Sequence, residues 1–382
     1  MTREGELIVR LPWDGRRVRE PTVDSTRPLE ASRLFVGKSP AQVIAMVPLL
    51  FSICGGAQRA AAAAALAAAA PQDDAQNTAD ERGVVLETIQ EYFWRLLIDW
   101  PQAMGRQTLA TPVATARHRI AAAVRDRDGA PAFENEARMR ELARDLSQIA
   151  ARSIYAMPPS EWLRIEDEVA LRDWAEREAT LPAMLARDLL DETAAFGRSE
   201  IGLMPNAPQA LVETVVPSKL RDPGFAQAPT WNGEPMETGA LSRMCAEPLV
   251  AALDASHGHA VLTRMVARLV ELGRLIEGLA AGTSRAGQVS PVQAFALGPD
   301  EGLGAVQTAR GLLLHRARMA DSTVEDYQIV APTEWNFHPH GALVDGLGRL
   351  EADDEVALSR RARLAVQALD PCVACRIEIG HA

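Results

Sequence analysis

The chain has 382 residues, 47% hydrophobic and 24% charged, enough apolar material for two domains or one large body. A formal charge of −11 argues against nucleic acid or an anionic membrane surface as a partner. Met1 to Gly5 leads into no apolar leader, and the longest apolar run, Ala60 to Ala70, falls short of the roughly 20 residues a bilayer span needs, so a soluble cytoplasmic protein is expected.

In chain order, Glu6-Leu7-Ile8-Val9-Arg10-Leu11 reads as extended and Asp14-Gly15 is a hairpin turn signal, which makes residues 6–23 a small β element. Ser39-Pro40 pairs an N-cap with a residue suited to the first helical position, predicting a buried helix over Ala41 to Phe51. Gly55-Gly56 breaks it, and a strong helix former runs from Ala57 to Ala70, its small side chains permitting close packing. Pro71 to Arg82 reads as a loop. Val85, Ile89, Tyr92, Phe93, Leu96, Leu97 and Trp100 recur at helical spacing up to Pro101, a core stripe rather than a cofactor box. Met139, Leu142, Leu146 and Ile149 mark another helix, and Met265, Leu269, Leu272 and Ile276 a third. Residues 158–196 read as helical with a break at Pro182, and residues 204–240 as loop and short strands. Irregular chain is expected near the C-terminus, and no internal repeat of useful period is present.

Cys54, Cys245, Cys372 and Cys375 are too few for a disulfide framework and fit a reducing compartment. Cys372 and Cys375 lie three apart in Asp370-Pro371-Cys372-Val373-Ala374-Cys375. On a turn that spacing brings two thiolates to one side, where they suit zinc, nickel, iron or copper(I). Read alone, the pair fits a metal site, a redox dithiol or incidental cysteines. Cys54 reads as a ligand or a core residue, and Cys245 as a packed free thiol. His257 and His259 read as a surface pair, and His315 as a partner for a backbone group. His338 and His340 read either as idle surface residues or as contacts for a partner.

Several segments together resemble the nickel–iron hydrogenase large subunit. Asp-Pro-Cys-x-x-Cys near the C-terminus is that family's signature. Gly5-Glu6-Leu7-Ile8-Val9 is similar to its opening strand, and Ser52-Ile53-Cys54-Gly55-Gly56-Ala57 to its Arg-Ile-Cys-Gly-x-Cys motif. Arg27-Pro28-Leu29-Glu30, Gly37-Lys38-Ser39-Pro40, Thr308-Ala309-Arg310-Gly311 with His315, and Tyr327 to Asn336 follow in the family's order. The resemblance covers residues 5–60, 85–101 and 300–376.

It implies a single α+β, mostly helical body over 1–382, like the hydrogenase large subunit with a small N-terminal β element. An N-terminal metal-motif segment spans about 1–60, a helical core about 80–290 and a C-terminal metal-motif segment about 300–382. Family members hold nickel and iron with two cysteines from each motif, but the bridging position of the first motif is Ala57 here. The family histidines fall on Ala61 and Glu378, and the magnesium that the family places near Glu30 is in doubt. By resemblance, what remains is the iron end: Cys54, Cys372 and Cys375 as metal ligands, with Arg310 and Thr333 donating to the cyanides and Pro332 stiffening the facing wall. Two thiolates with an Fe(CN)2CO unit carry about two net negative charges, which a buried site must balance.

This eroded pattern resembles accessory proteins of the HupK/HoxV type. It implies a scaffold and transient carrier for the Fe(CN)2CO unit, with no stable nickel and no hydrogen turnover. The implied partners are the hydrogenase large subunit and small maturation chaperones. The alternatives are a divergent hydrogenase-like oxidoreductase subunit with one metal, and a zinc-stabilised binding module.

Overall fold

The computed structural model describes residues 5–27, 29–51, 54–69, 81–124, 135–192, 194–206, 210, 220, 222, 224–283 and 290–381. Strand β1 (Glu6–Trp13) sends Leu7, Val9, Leu11 and Trp13 into the core at the two-residue period of a half-buried strand. The turn at Asp14 forms as expected: its carboxylate accepts from the N–H groups of Arg16 and Arg17, and Trp13 bridges to Val18. Strand β2 (Thr22–Ser25) returns antiparallel to β1. The other edge of β1 pairs in parallel with β7 (Ala374–His381), so the two ends of the chain share one sheet in the order β2-β1-β7.

Ser39 caps helix α1 (Pro40–Leu50) through a reciprocal exchange with Gln42, an arrangement that contributes about 1 kcal/mol. The helix is not buried as predicted. Only Val43 and Val47 are buried, and Leu49 is 82% exposed. Gly55 and Gly56 open helix α2 (Gly55–Ala69) rather than lying outside it; of the loop predicted over 71–82, residues 71–80 lie outside the described residues, while Glu81 and Arg82 are helical.

A four-stranded antiparallel sheet replaces the irregular chain expected near the C-terminus. It consists of β3 (Val292–Gly298), β4 (Glu301–Thr308), β5 (Gly311–Ala320) and β6 (Thr323–Val330), in that order. β4 and β5 are buried on both faces for most of their length, which erases the alternation by which a half-exposed strand is recognised. One face packs α2, and β4 meets that helix with glycines. A methyl on Gly304 would lie 2.1 Å from the Ala61 carbonyl oxygen, and one on Gly302 would lie 2.2 Å from that of Ala65. The alanines of α2 therefore allow close approach, as predicted, and the surface approached is a strand.

Helix α3 (Glu81–Trp94) continues through a π-turn at Arg95–Asp99 into Trp100–Ala103, passing Pro101 because proline is tolerated in the first turn of that last segment. α4 (Ala110–Ala123), which the sequence reading missed, buries only a thin stripe of Val113, Ala116 and Ile120. α5 (Glu136–Ala150) agrees with its predicted stripe. Residues 158–196 form α6 (Pro159–Trp162), α7 (Glu168–Glu176) and α8 (Leu181–Asp191). Pro182 lies in the first turn of α8 behind the Thr180 cap, starting a helix rather than breaking one. The short α9 (Ala240–Met244) and α10 (Pro248–His257) lead to α11 (Val261–Ala280), a long and deeply buried helix that carries Arg264, Arg268 and Glu271 inside. α12 (Pro332–Asn336), α13 (Ala342–Gly348) and α14 (Glu355–Leu369) complete the body. The main apolar cluster joins β1 to α3, α5, α11 and α14, and smaller clusters flank the second sheet. Among the described residues no helix is long and apolar enough to cross a membrane.

Candidate metal centre

The C-terminal motif is anchored by its first residue. Asp370 ends α14 in the left-handed region (φ +55°), and its carboxylate is buried beside Arg95 at 2.8 Å and Arg310 at 3.3 Å. Burial alone would raise its pKa. Arg310, Arg95 and Arg268 outweigh that and hold it below the ordinary carboxylate value. The chain then turns through Pro371 to bring Cys372 against Thr333, in the first turn of α12 beside Pro332. The Thr333 hydroxyl donates to Cys372 Sγ at 3.1 Å and accepts from the Cys372 N–H at 3.4 Å.

Cys54 enters from the opposite end of the chain, just ahead of α2. Desolvation pushes its thiol up to about 12, the nearby Cys372 adding to the rise and Arg310 opposing it. Glu87 of α3 caps α2 from outside, accepting from the N–H groups of Gly56 at 2.8 Å and Ala57 at 3.2 Å. A side chain at Gly56 would begin 2.7 Å from the Glu87 carboxylate, which would have to swing away from its cap. Ala57 is fully buried in an apolar cluster with Val84, Val306 and Leu313, so a methyl packed in the core stands where the resemblance would place a fourth cysteine.

Two guanidinium groups face the two thiols. Arg310 stands on the tight turn between β4 and β5. Its carbonyl accepts from the Asn336 amide at 3.2 Å, and Tyr92 donates to the neighbouring Ala309 carbonyl at 3.2 Å. Desolvation opposes its charge, but Asp370, Glu91 (2.7 Å), Cys54 and Cys372 together raise its pKa. Arg27 approaches from the N-terminal segment and is paired with Glu334. Desolvation is outweighed there by Glu334, Cys372 and Cys54.

The structure thus brings together Cys54, Cys372, Arg310, Thr333 and Pro332. It places Cys375 elsewhere. Cys375 is on β7 beside Leu7, packed with Val373, Ile377 and Ile379 against the main core. Desolvation, with Glu6, pushes its thiol up to about 11. It lines a cleft of about 470 Å³ with Arg95, Asp99, Arg363 and Gln367. Among the described residues no group of three histidine, cysteine or acidic side chains is arranged to hold a metal by itself. Two soft sulfurs, a hydroxyl donor and two fixed cations therefore suit a metal that brings further ligands of its own better than a bare cation.

Other expectations are corrected. Cys245 is exposed rather than packed. His257 and His259 are half-buried, against Glu168 at 2.8 Å and the Ile201 carbonyl at 3.0 Å, respectively. His315 bonds to side chains, Gln58 and Tyr327, rather than to backbone. His338 is buried and accepts from the His340 N–H, while His340 is exposed. Pro28, Ser52, Ile53 and the side chain of Glu30 lie outside the described residues. The sequence reading missed Arg27, Glu87, Glu91 and Asp370 as site residues. Glu87, Glu91 and Arg95 at four-residue spacing were a signal that one face of α3 carries charge into the interior.

A family model described as nickel-dependent hydrogenase matches residues 218–378. The chain is 30% identical to the hydrogenase expression/formation protein HoxV of Cupriavidus necator, over 100% of this chain and 98% of that one. It belongs to the HoxV/HupK family. Family members of similar likeness are HupV of Azotobacter chroococcum, 31% identical over 99% of each chain, and HupK of Rhizobium leguminosarum, 30% identical over 94% and 92%. The nickel–iron–selenium hydrogenase of Desulfovibrio vulgaris Hildenborough superposes with a TM-score of 0.57 at 16% identity, covering 96% of this chain and 98% of that one. An NAD+-reducing nickel–iron hydrogenase gives 0.52 at 18% identity, over 96% and 95%. This chain therefore has the fold of the nickel–iron hydrogenase large subunit.

Proposed function

We propose that this chain serves hydrogenase maturation as a scaffold and transient carrier for the Fe(CN)2CO unit, without turning over hydrogen itself. The names of its full-length relatives, all hydrogenase expression/formation proteins, support the maturation role. The observation that carries the finer reading is the convergence of Cys54 and Cys372 under Arg27 and Arg310, with the Thr333 hydroxyl beside them. Two thiolates on the iron unit bury negative charge, and the guanidiniums of Arg27 and Arg310, which cannot deprotonate and are shared with Glu334 and with Glu91 and Asp370, offer it cationic donors. Cys375 joins such a grip only after the turn before β7 rewinds. The proposed partners are the catalytic large subunit, which receives the unit, and small maturation chaperones, which deliver it.

With the Cys54 thiol at about 12, uptake must release its proton, so retention strengthens as pH rises. The methyl of Ala57 leaves the grip one thiolate short, which favours release. Ala57→Cys is expected to slow transfer of the iron unit to the large subunit; unimpaired transfer would refute that role for Ala57.

Infrared spectroscopy tests the carrier reading directly, on protein purified anaerobically after co-expression with the maturation machinery. Carbonyl and cyanide bands that vanish in Cys372→Ala and Cys54→Ala are the expected result. Stoichiometric zinc without such bands, while the machinery demonstrably works, would replace the carrier by a zinc-stabilised module.

A further inference from the structure

A buried chain of hydrogen bonds runs inward from Cys54, and the function described so far makes no use of it. Gln58, in the first turn of α2, places its amide nitrogen 3.6 Å from Cys54 Sγ. The amide oxygen lies 2.8 Å from His315 Nε2 on β5, and His315 Nδ1 lies 2.8 Å from the Tyr327 hydroxyl on β6. All three side chains are buried, the imidazole completely.

The direction of this chain follows from its far end. Among the described residues the Tyr327 hydroxyl has no acceptor other than His315 Nδ1. A buried hydroxyl proton needs a partner, so Tyr327 donates and Nδ1 accepts. Burial keeps the ring neutral, with a pKa lowered to about 3, so its single proton is on Nε2 and goes to the Gln58 oxygen. The amide is then oriented with N–H toward sulfur. In the opposite direction, the Tyr327 proton would be left in the core without an acceptor.

We infer that Gln58 is a positioning residue for the iron unit: the one-way chain Tyr327 to His315 to Gln58 fixes an N–H donor on Cys54 Sγ, matching the O–H donor that Thr333 gives Cys372 Sγ. This rests on the carrier reading. A hydrogen bond to a ligating thiolate withdraws electron density from the metal. Both sulfurs then donate less strongly to iron, and the unit is held more weakly than by bare thiolates of the same number. An assembly intermediate that must be passed on needs such a grip.

Two measurements test this. In unloaded protein, nitrogen-15 histidine NMR, with His315 assigned through His315→Asn, should show the Nε2–H tautomer. The Nδ1–H tautomer would overturn the inference whatever the cargo. In loaded protein, Gln58→Leu should move the carbonyl stretch to lower wavenumber, as the sulfur donates more strongly. Tyr327→Phe, which only loosens the far end, should give a smaller shift of the same sign. A purely structural role would lower thermal stability in both variants with the band unmoved, and that result overturns the inference while leaving the carrier reading intact. Absence of bands in the native protein would remove the carrier reading and this role together.

Discussion

Asp370 keeps its charge where burial alone would remove it, because Arg310, Arg95 and Arg268 surround it. Asp370→Asn leaves those cations without their shared counter-charge and is expected to cost about 3–5 kcal/mol in urea unfolding at pH 7. The carboxylate's contribution is fully present above its unfolded pKa of about 3.9 and is lost as pH falls through the lower folded value. A variant as stable as the native chain at pH 7 would refute this. His315 works in the opposite sense. Its folded pKa of about 3 lies below the unfolded value, so the native state refuses a proton that the unfolded chain accepts. Stability is untouched above about pH 6.5 and falls by about 1.4 kcal/mol per unit between there and about 3. His315→Gln should flatten that slope, and an unchanged slope would show that the ring is not the cause. Cys54, Cys372, Arg310 and Thr333 were legible in the sequence because each stands inside a motif. Asp370 was legible only as a letter of one, since nothing local announces three arginines arriving from a strand turn and two distant helical segments.

At the scale of elements, the contact of α2 with β4 sets the position of Cys54, because helix and strand touch through alanine and glycine. Gly304→Ala should cost about 1–3 kcal/mol or more, because its methyl has no space against the Ala61 carbonyl. Thermal melts would show it, and a melting temperature within error of native would mean the helix shifts freely. Helices with a clear apolar stripe, such as α3, α5 and α11, were readable from periodicity. The second sheet was not, because strands covered on both faces lose the alternation that identifies them.

For the whole molecule, the parallel pairing of β1 with β7 closes the fold across its full length. A chain ending at Val373 keeps Cys372 but strips one edge from β1, whose Leu7, Val9 and Leu11 are buried. It should lose its cooperative melt by circular dichroism; a sharp native-like transition would show that β7 is dispensable. The sequence placed both metal motifs at opposite ends and the resemblance brought them together, but only the sheet shows what joins them. That both ends meet also imposes an order in time. More than 300 residues separate Cys54 from Cys372, so at usual synthesis rates the first thiol leaves the ribosome roughly 15 to 65 s before the second exists. Until Cys372 is made, no grip by these two sulfurs can form, and on the carrier reading the nascent chain cannot hold the proposed iron unit. On the carrier reading, loading waits until Cys372 has been made, and a chain terminated before it is barred from withdrawing iron from the supply.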